Sequence, residues 1–156
     1  MKSVLFSINK PHTDHIRLLL KKVELRTKPP KIDGVYKGFI YETKKYGGCG
    51  KVIGEFTAYN ENTYRICTGV PAHLSIEGCL SKADILKYTA NGKKDVTAIS
   101  ISDLKIYDKP KELNEFHKPC NSDCKYSNEC GGTTKDYCLF PLSKPPQSWC
   151  YVEEQK

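Results

Sequence analysis

Short alternating runs, each closed off by proline or glycine within a few residues, constrain this 156-residue chain more than any other feature. Such punctuation suits short strands and turns, and it excludes both a sustained heptad pattern and the roughly 20 apolar residues of a membrane span. Runs with strand character lie at 2–8, 23–26, 35–42, 51–58, 96–107 and 147–153. Pro11, with its fixed φ, opens a helix in which Ile16, Leu19, Leu20 and Val23 share one face, and Lys21 and Lys22 fall in its last turn. Ser81, with Asp84 three residues on, caps a second helix over 81–88. Pro29-Pro30 and Pro110 end the strands they follow. Many short strands with two helices predict an α+β fold, a small mixed β-barrel with flanking helices. The length allows a single domain, 1–156.

Apolar residues make up 38% of the chain and charged ones 28%, enough apolar content for one core and too little charge bias for disorder. The net charge of +7 is uneven, because residues 1–51 carry twelve Lys and Arg against four Asp and Glu. A basic patch of that kind concentrates phosphates. Only Arg17, Arg26 and Arg65 are arginines, however, and lysine lacks the planar fork that reads guanine in the major groove. After Lys2, the apolar start Val4-Leu5-Phe6 gives way to Asn9, Lys10 and Asp14 too soon for a signal peptide. A cytoplasmic location and no membrane partner are expected.

Residues 119–143 change in composition to Cys, Gly, Asn, Lys and Asp, and form a Cys-rich insertion within the domain. Cys120, Cys124, Cys130 and Cys138 are separated by three, five and seven residues. Four thiolates can hold structural Zn²⁺ and so fix a loop that burial would not; free thiols, disulfides or an iron–sulfur cluster are the alternatives. Cys49, Cys67, Cys79 and Cys150 are scattered, and read as small core residues. His12 and His15 flank Asp14 on the first helix, but with no matching ligands they read as a solvated face. The segment Gly47-Gly48-Cys49-Gly50-Lys51 lacks the spacing of a P-loop and reads as a mobile hairpin loop. Tyr36, Tyr41, Tyr46, Tyr59 and Tyr64 interleave with lysines as bases on a stacking surface would require, although strands are rich in tyrosine in any case.

Glu24 and Arg26 stand two apart on one strand and therefore on one face, and Lys21 lies close before them. The three make a compact cluster of mixed charge, able to grip a polar planar ligand or simply to pair internally. The stretch VLFSINKPHTDHIRLLLKKVELR, from Val4 to Arg26, resembles the opening of the ASCH domains of the PUA-like superfamily, in which Lys21, Glu24 and Arg26 fall on a G-x-K-x-x-E-x-R pattern. The family glycine is Leu19 here. The IGEF sequence at 53–56, the D-K-P-x-x-L-x-x-F tail at 108–116 and Pro145-Pro146-Gln147-Ser148-Trp149 are similar to later strands of bacterial and phage members.

The resemblance implies a PUA-like barrel whose cleft, between barrel and helix, holds RNA or a modified nucleobase or nucleoside. Lys21, Glu24, Arg26, Gln147, Ser148 and Trp149 are then the ligand-binding candidates. Some relatives are small hydrolases that cleave the amide of acylated cytidine with a lysine, a threonine and a glutamate. Lys21 matches the lysine, but Glu24 stands where the threonine hydroxyl would be, so Lys21 and Glu24 are the candidates for any catalysis. Ribonuclease activity, also found among relatives, has no distinct motif here. A protein-interaction module built on the Cys-rich loop is the third reading.

Overall fold

The computed structural model describes residues 2–119 and 137–154. Strand β1 (Ser3–Ile8) leads through helix α1 (His12–Arg17) and strand β2 (Val23–Arg26) to strands β3 (Val35–Glu42) and β4 (Lys51–Tyr64). Helices α2 (Ala72–Gly78) and α3 (Lys82–Tyr88) follow, then strands β5 (Val96–Lys111), β6 (Phe116–Pro119), β7 (Tyr137–Pro141) and β8 (Trp149–Glu154). The eight strands form one sheet in the order β2-β5-β4-β3-β1-β8-β6-β7. Among the described residues only β1 and β3 pair in parallel, from Ser3 opposite Lys37 to Ile8 opposite Glu42. Parallel neighbours need a crossover connection, and this one, residues 9–34, carries α1 and β2.

Alternation along the strands loads both faces of the sheet. Val4, Phe6 and Ile8 of β1 join Tyr36, Ile40, Phe56 and Ile99 in one cluster, while Leu5 joins Phe39, Val52, Phe116 and Val152 in another. A third cluster packs Val23 and Leu25 of β2 against Leu74 of α2 and Ile85 of α3. With Val23 and Leu25 committed to the helices, the period of two turns Glu24 and Arg26 to the opposite side. Among the described residues no helix is long and apolar enough to cross a membrane.

Several expectations need correction. The architecture is α+β, but β2 and β7 end the strand order and no pairing among the described residues joins them, so the sheet is open rather than closed as a barrel. Among the described residues there are three α-helices, not two. Helix α1 stops at Arg17, which leaves Leu18, Leu19 and Leu20 exposed and carries Lys21 beyond the helix. The reason is local: Leu19 takes φ +59°, Leu20 N–H donates to His15 O and Leu19 N–H to Ile16 O. That is a Schellman stop with leucine at the position glycine usually fills. The turn of the ASCH pattern is thus present without its glycine. Leu19→Gly should therefore raise stability by about 0.5–1 kcal/mol, since a left-handed leucine costs more than the extra freedom of an unfolded glycine; the shift of a urea midpoint checks it.

Pro110 does not end β5, which continues to Lys111 through a stretch where its register against β4 slips between Gly54 and Val52. A proline is tolerated where the ladder is interrupted. Cys49 and Cys67 are exposed rather than core, and Tyr36 and Tyr41 are buried, so the five tyrosines share no surface. Cys120, Cys124 and Cys130 lie outside the described residues, and only the backbone of Cys138, in β7, lies within them. No cluster of potential metal ligands occurs among the described residues.

The loop at 43–50 is tied down by a buried carboxylate. Glu42, 2% exposed, accepts hydrogen bonds from Thr13 Oγ1 at 2.6 Å, Arg17 Nη1 at 2.8 Å and the Cys49 N–H at 2.9 Å. Burial alone would raise its pKa. The bonds from Thr13, Cys49 and Arg17 outweigh that and bring it from 4.5 down to about 2. Because the folded value lies below the unfolded one, this contribution to stability is complete above about pH 4.5 and is lost as the pH falls through about 2. Glu42→Gln should lower the melting temperature at neutral pH and weaken its decline across that acid window, as followed by circular dichroism.

Candidate functional site

The crossover from β1 to β3 carries the central residues of one cleft. A volume of about 510 Å³ is lined by the end of β1 and its continuation (Ser7, Ile8, Asn9, Pro11), by His12, Lys21, Glu24, Leu25 and Arg26, and by Leu80, Asp84 and Tyr88 from the α3 region. That size suits a small organic ligand. The early stop of α1 matters here, because it drops Lys21 into the cleft instead of leaving it on a helix surface. Lys22 N–H, donating to Glu77 O, anchors the turn to α2.

Lys21, Glu24 and Arg26 are 3%, 8% and 9% exposed and form a single chain of contacts. Lys21 Nζ lies 3.4 Å from Glu24 Oε2 and donates to Gly78 O at 2.6 Å. Arg26 Nη2 reaches Glu24 Oε1 at 2.8 Å and Ser7 O at 3.0 Å, while Nη1 donates to Ser148 Oγ at 3.0 Å. The guanidinium also sits 5.7 Å from the centre of the Phe6 ring, close enough for a cation–π contribution. Burial pushes the Glu24 pKa up, but the charges of Arg26 and Lys21 more than offset it, and the net shift is downward. Glu24 is therefore a carboxylate at neutral pH.

Of the residues singled out from sequence, Lys21, Glu24 and Arg26 come together, and Ser148 meets them through Arg26. Gln147 is exposed, and neither it nor Trp149 lines the cleft. Trp149 packs against the main core cluster, and its indole N–H donates to Lys28 O at 2.7 Å. It fixes the 27–31 segment rather than facing the cavity. The basic first third does not act as one free patch either: Arg17 is held by Asp14 and Glu42, Lys10 by Asp14, and Lys21 and Arg26 by Glu24.

His12, expected on a solvated face together with His15, is instead part of the cleft, and its Nδ1 is buried. No local pattern marks such a residue, since its neighbours Lys21, Glu24 and Asp84 come from other parts of the chain. Asn9, whose side-chain carbonyl accepts from Thr43 Oγ1, completes that wall.

No protein-family model matches the sequence, and no curated protein matches it. Solved structures do. The ASCH protein of Zymomonas mobilis superposes with a TM-score of 0.58 at 22% identity, over 97% of this chain and 88% of its own. A tyrosine-to-phenylalanine variant of that protein gives 0.62 at 20% identity, over 98% and 91%. A serine-to-alanine variant gives 0.61 at 20%, over 97% and 89%. With nearly the whole of both chains superposed, the fold of this chain is that of the ASCH domain.

Proposed function

We propose that the cleft binds a neutral planar group with hydrogen-bonding edges, the base of an RNA nucleotide or of a free nucleoside. The observation that carries this reading is the charge balance at its floor. Lys21 and Arg26 both pair with Glu24, and Asp84 on the wall supplies the second carboxylate that balances the two cations. A phosphate entering such a cleft would lose its water and meet carboxylates, whereas an uncharged base presents donors to Glu24 and acceptors to Arg26 and Lys21. The reading agrees with what the ASCH resemblance implies. Phosphates of an RNA strand would then lie outside, among lysines of the first third of the chain.

Two salt dependences test this. Nucleoside affinity should be nearly independent of salt, while affinity for a short single-stranded RNA should fall steeply as counterions compete for its phosphates. Equal salt dependence for both, or displacement of nucleoside by inorganic phosphate, would remove the neutral-base reading. The cysteines at 120, 124, 130 and 138 are proposed, from their spacing alone, to hold structural zinc. Elemental analysis should then find about one zinc per chain, lost in Cys124→Ser.

A further inference from the structure

Two buried nitrogen atoms on residues of this cleft, His12 Nδ1 and Arg26 Nε, have no hydrogen-bond partner among the described residues. Buried polar atoms are paired in roughly nine cases of ten. His15 Nδ1 on α1 is unpaired as well, but His15 lies outside the cavity, whereas His12 and Arg26 both line it. Arg26 is 91% buried by its 9% exposure, and its other nitrogens are already committed to Ser148, Ser7 and Glu24. Its free Nε–H can only donate. His12 is different, because a neutral imidazole presents one donor and one bare acceptor nitrogen, and the partner decides which is which.

We propose that His12 is a specificity-determining residue of the cleft: a ring nitrogen of His12 accepts a hydrogen bond from an N–H of the bound base, while Arg26 Nε donates to an acceptor on the same base. This rests on reading the cleft as a base site. It narrows the ligand to a group that carries a donor and an acceptor side by side, which the hydrogen-bonding edges of nucleobases do and a fully ionised phosphate does not.

The groups around His12 favour the accepting form. Burial lowers its pKa most, and Lys21 beyond α1 and His15 on the same helix push in the same direction; Glu24 of β2 and Asp84 of α3 oppose them without reversing the shift. At neutral pH the ring is uncharged and keeps its bare nitrogen. Protonation in acid turns both ring nitrogens into donors and places a second cation beside Lys21, so base affinity should fall with pH on the acid side of the ordinary histidine range. Glu24, with its own pKa depressed, remains ionised there.

The test is calorimetric titration of the intact protein with adenosine, guanosine, cytidine and uridine from about pH 8 to about pH 5, spanning the histidine range. The wild type should bind at least one of them and lose about tenfold or more of its affinity at the acid end. His12→Asn, whose amide oxygen can accept near the place of Nδ1 at any pH, should bind without that loss. His12→Phe should bind at least about tenfold more weakly at neutral pH, with an unchanged circular dichroism spectrum confirming its fold. Wild-type binding that is flat with pH, an unimpaired His12→Phe, or a persisting acid loss in His12→Asn would each overturn the role of His12 while leaving the base site standing. Failure of the wild type to bind any of the four nucleosides would overturn the base site, and this proposal with it.

Discussion

Glu24→Leu should lower folding stability by about 3–5 kcal/mol, the range seen when one partner is removed from a buried ion pair. Glu24 lies between two cations that are themselves almost wholly buried, Lys21 and Arg26. Without the carboxylate, Lys21 retains Gly78 O and Arg26 retains Ser7 O and Ser148 Oγ, but neither retains a counter-charge. Out of a total of about 5–15 kcal/mol for a typical domain, such a loss is large. Replacing Lys21, Glu24 and Arg26 together by apolar residues of similar size should restore much of it, because the cost lies in the uncompensated charges rather than in the missing attraction. Urea denaturation reads both variants, with the midpoint moving and the slope unchanged. A loss below about 1 kcal/mol for Glu24→Leu, the size of a surface pair, would mean that water reaches the three side chains freely.

The second large effect belongs to Phe6. Its side chain is fully buried in the main core cluster, and its ring also supports the Arg26 guanidinium. Phe6→Ala should cost about 3–5 kcal/mol through lost burial and the cavity left behind. Phe6→Leu keeps most of the volume and should cost much less, while removing the aromatic face below Arg26. Ligand affinity should therefore drop in Phe6→Leu by more than its small stability change suggests. If Phe6→Leu binds nucleoside as tightly as the wild type does, the ring serves the core alone.

Much of the site could be read from sequence because its two decisive residues obey a local rule. Strands β2 and β3 run over the residues their alternation indicates, and the period of two puts Glu24 and Arg26 on one side. Lys21 was placed close to them but on the wrong kind of structure. The apolar spacing of Ile16, Leu19, Leu20 and Val23 imitates a helical face, and no glycine announces the stop; only the left-handed backbone at Leu19 ends the helix. Helix α2 was invisible for a related reason. It buries only Leu74 and Gly78 and leaves Ile76 exposed, so it carries no amphipathic signal. The strands β6 and β7 were hidden by proline and by the Cys-rich composition around them. Trp149 came in with Gln147 and Ser148 through the resemblance at 145–149, but successive residues on an extended chain face opposite ways, and Trp149, next to Ser148, turns to the core.

The central claim, that an uncharged base occupies the cleft floored by Lys21, Glu24 and Arg26, is tested most directly by ¹H–¹⁵N spectra that resolve the Arg26 Nε–H during titration with ribonucleosides. The account predicts that a nucleoside shifts this resonance together with the backbone amides of His12, Lys21 and Glu24, and that inorganic phosphate neither reproduces nor reverses the change. An Arg26 Nε–H that stays put with every nucleoside, or that moves with phosphate alone, would contradict it.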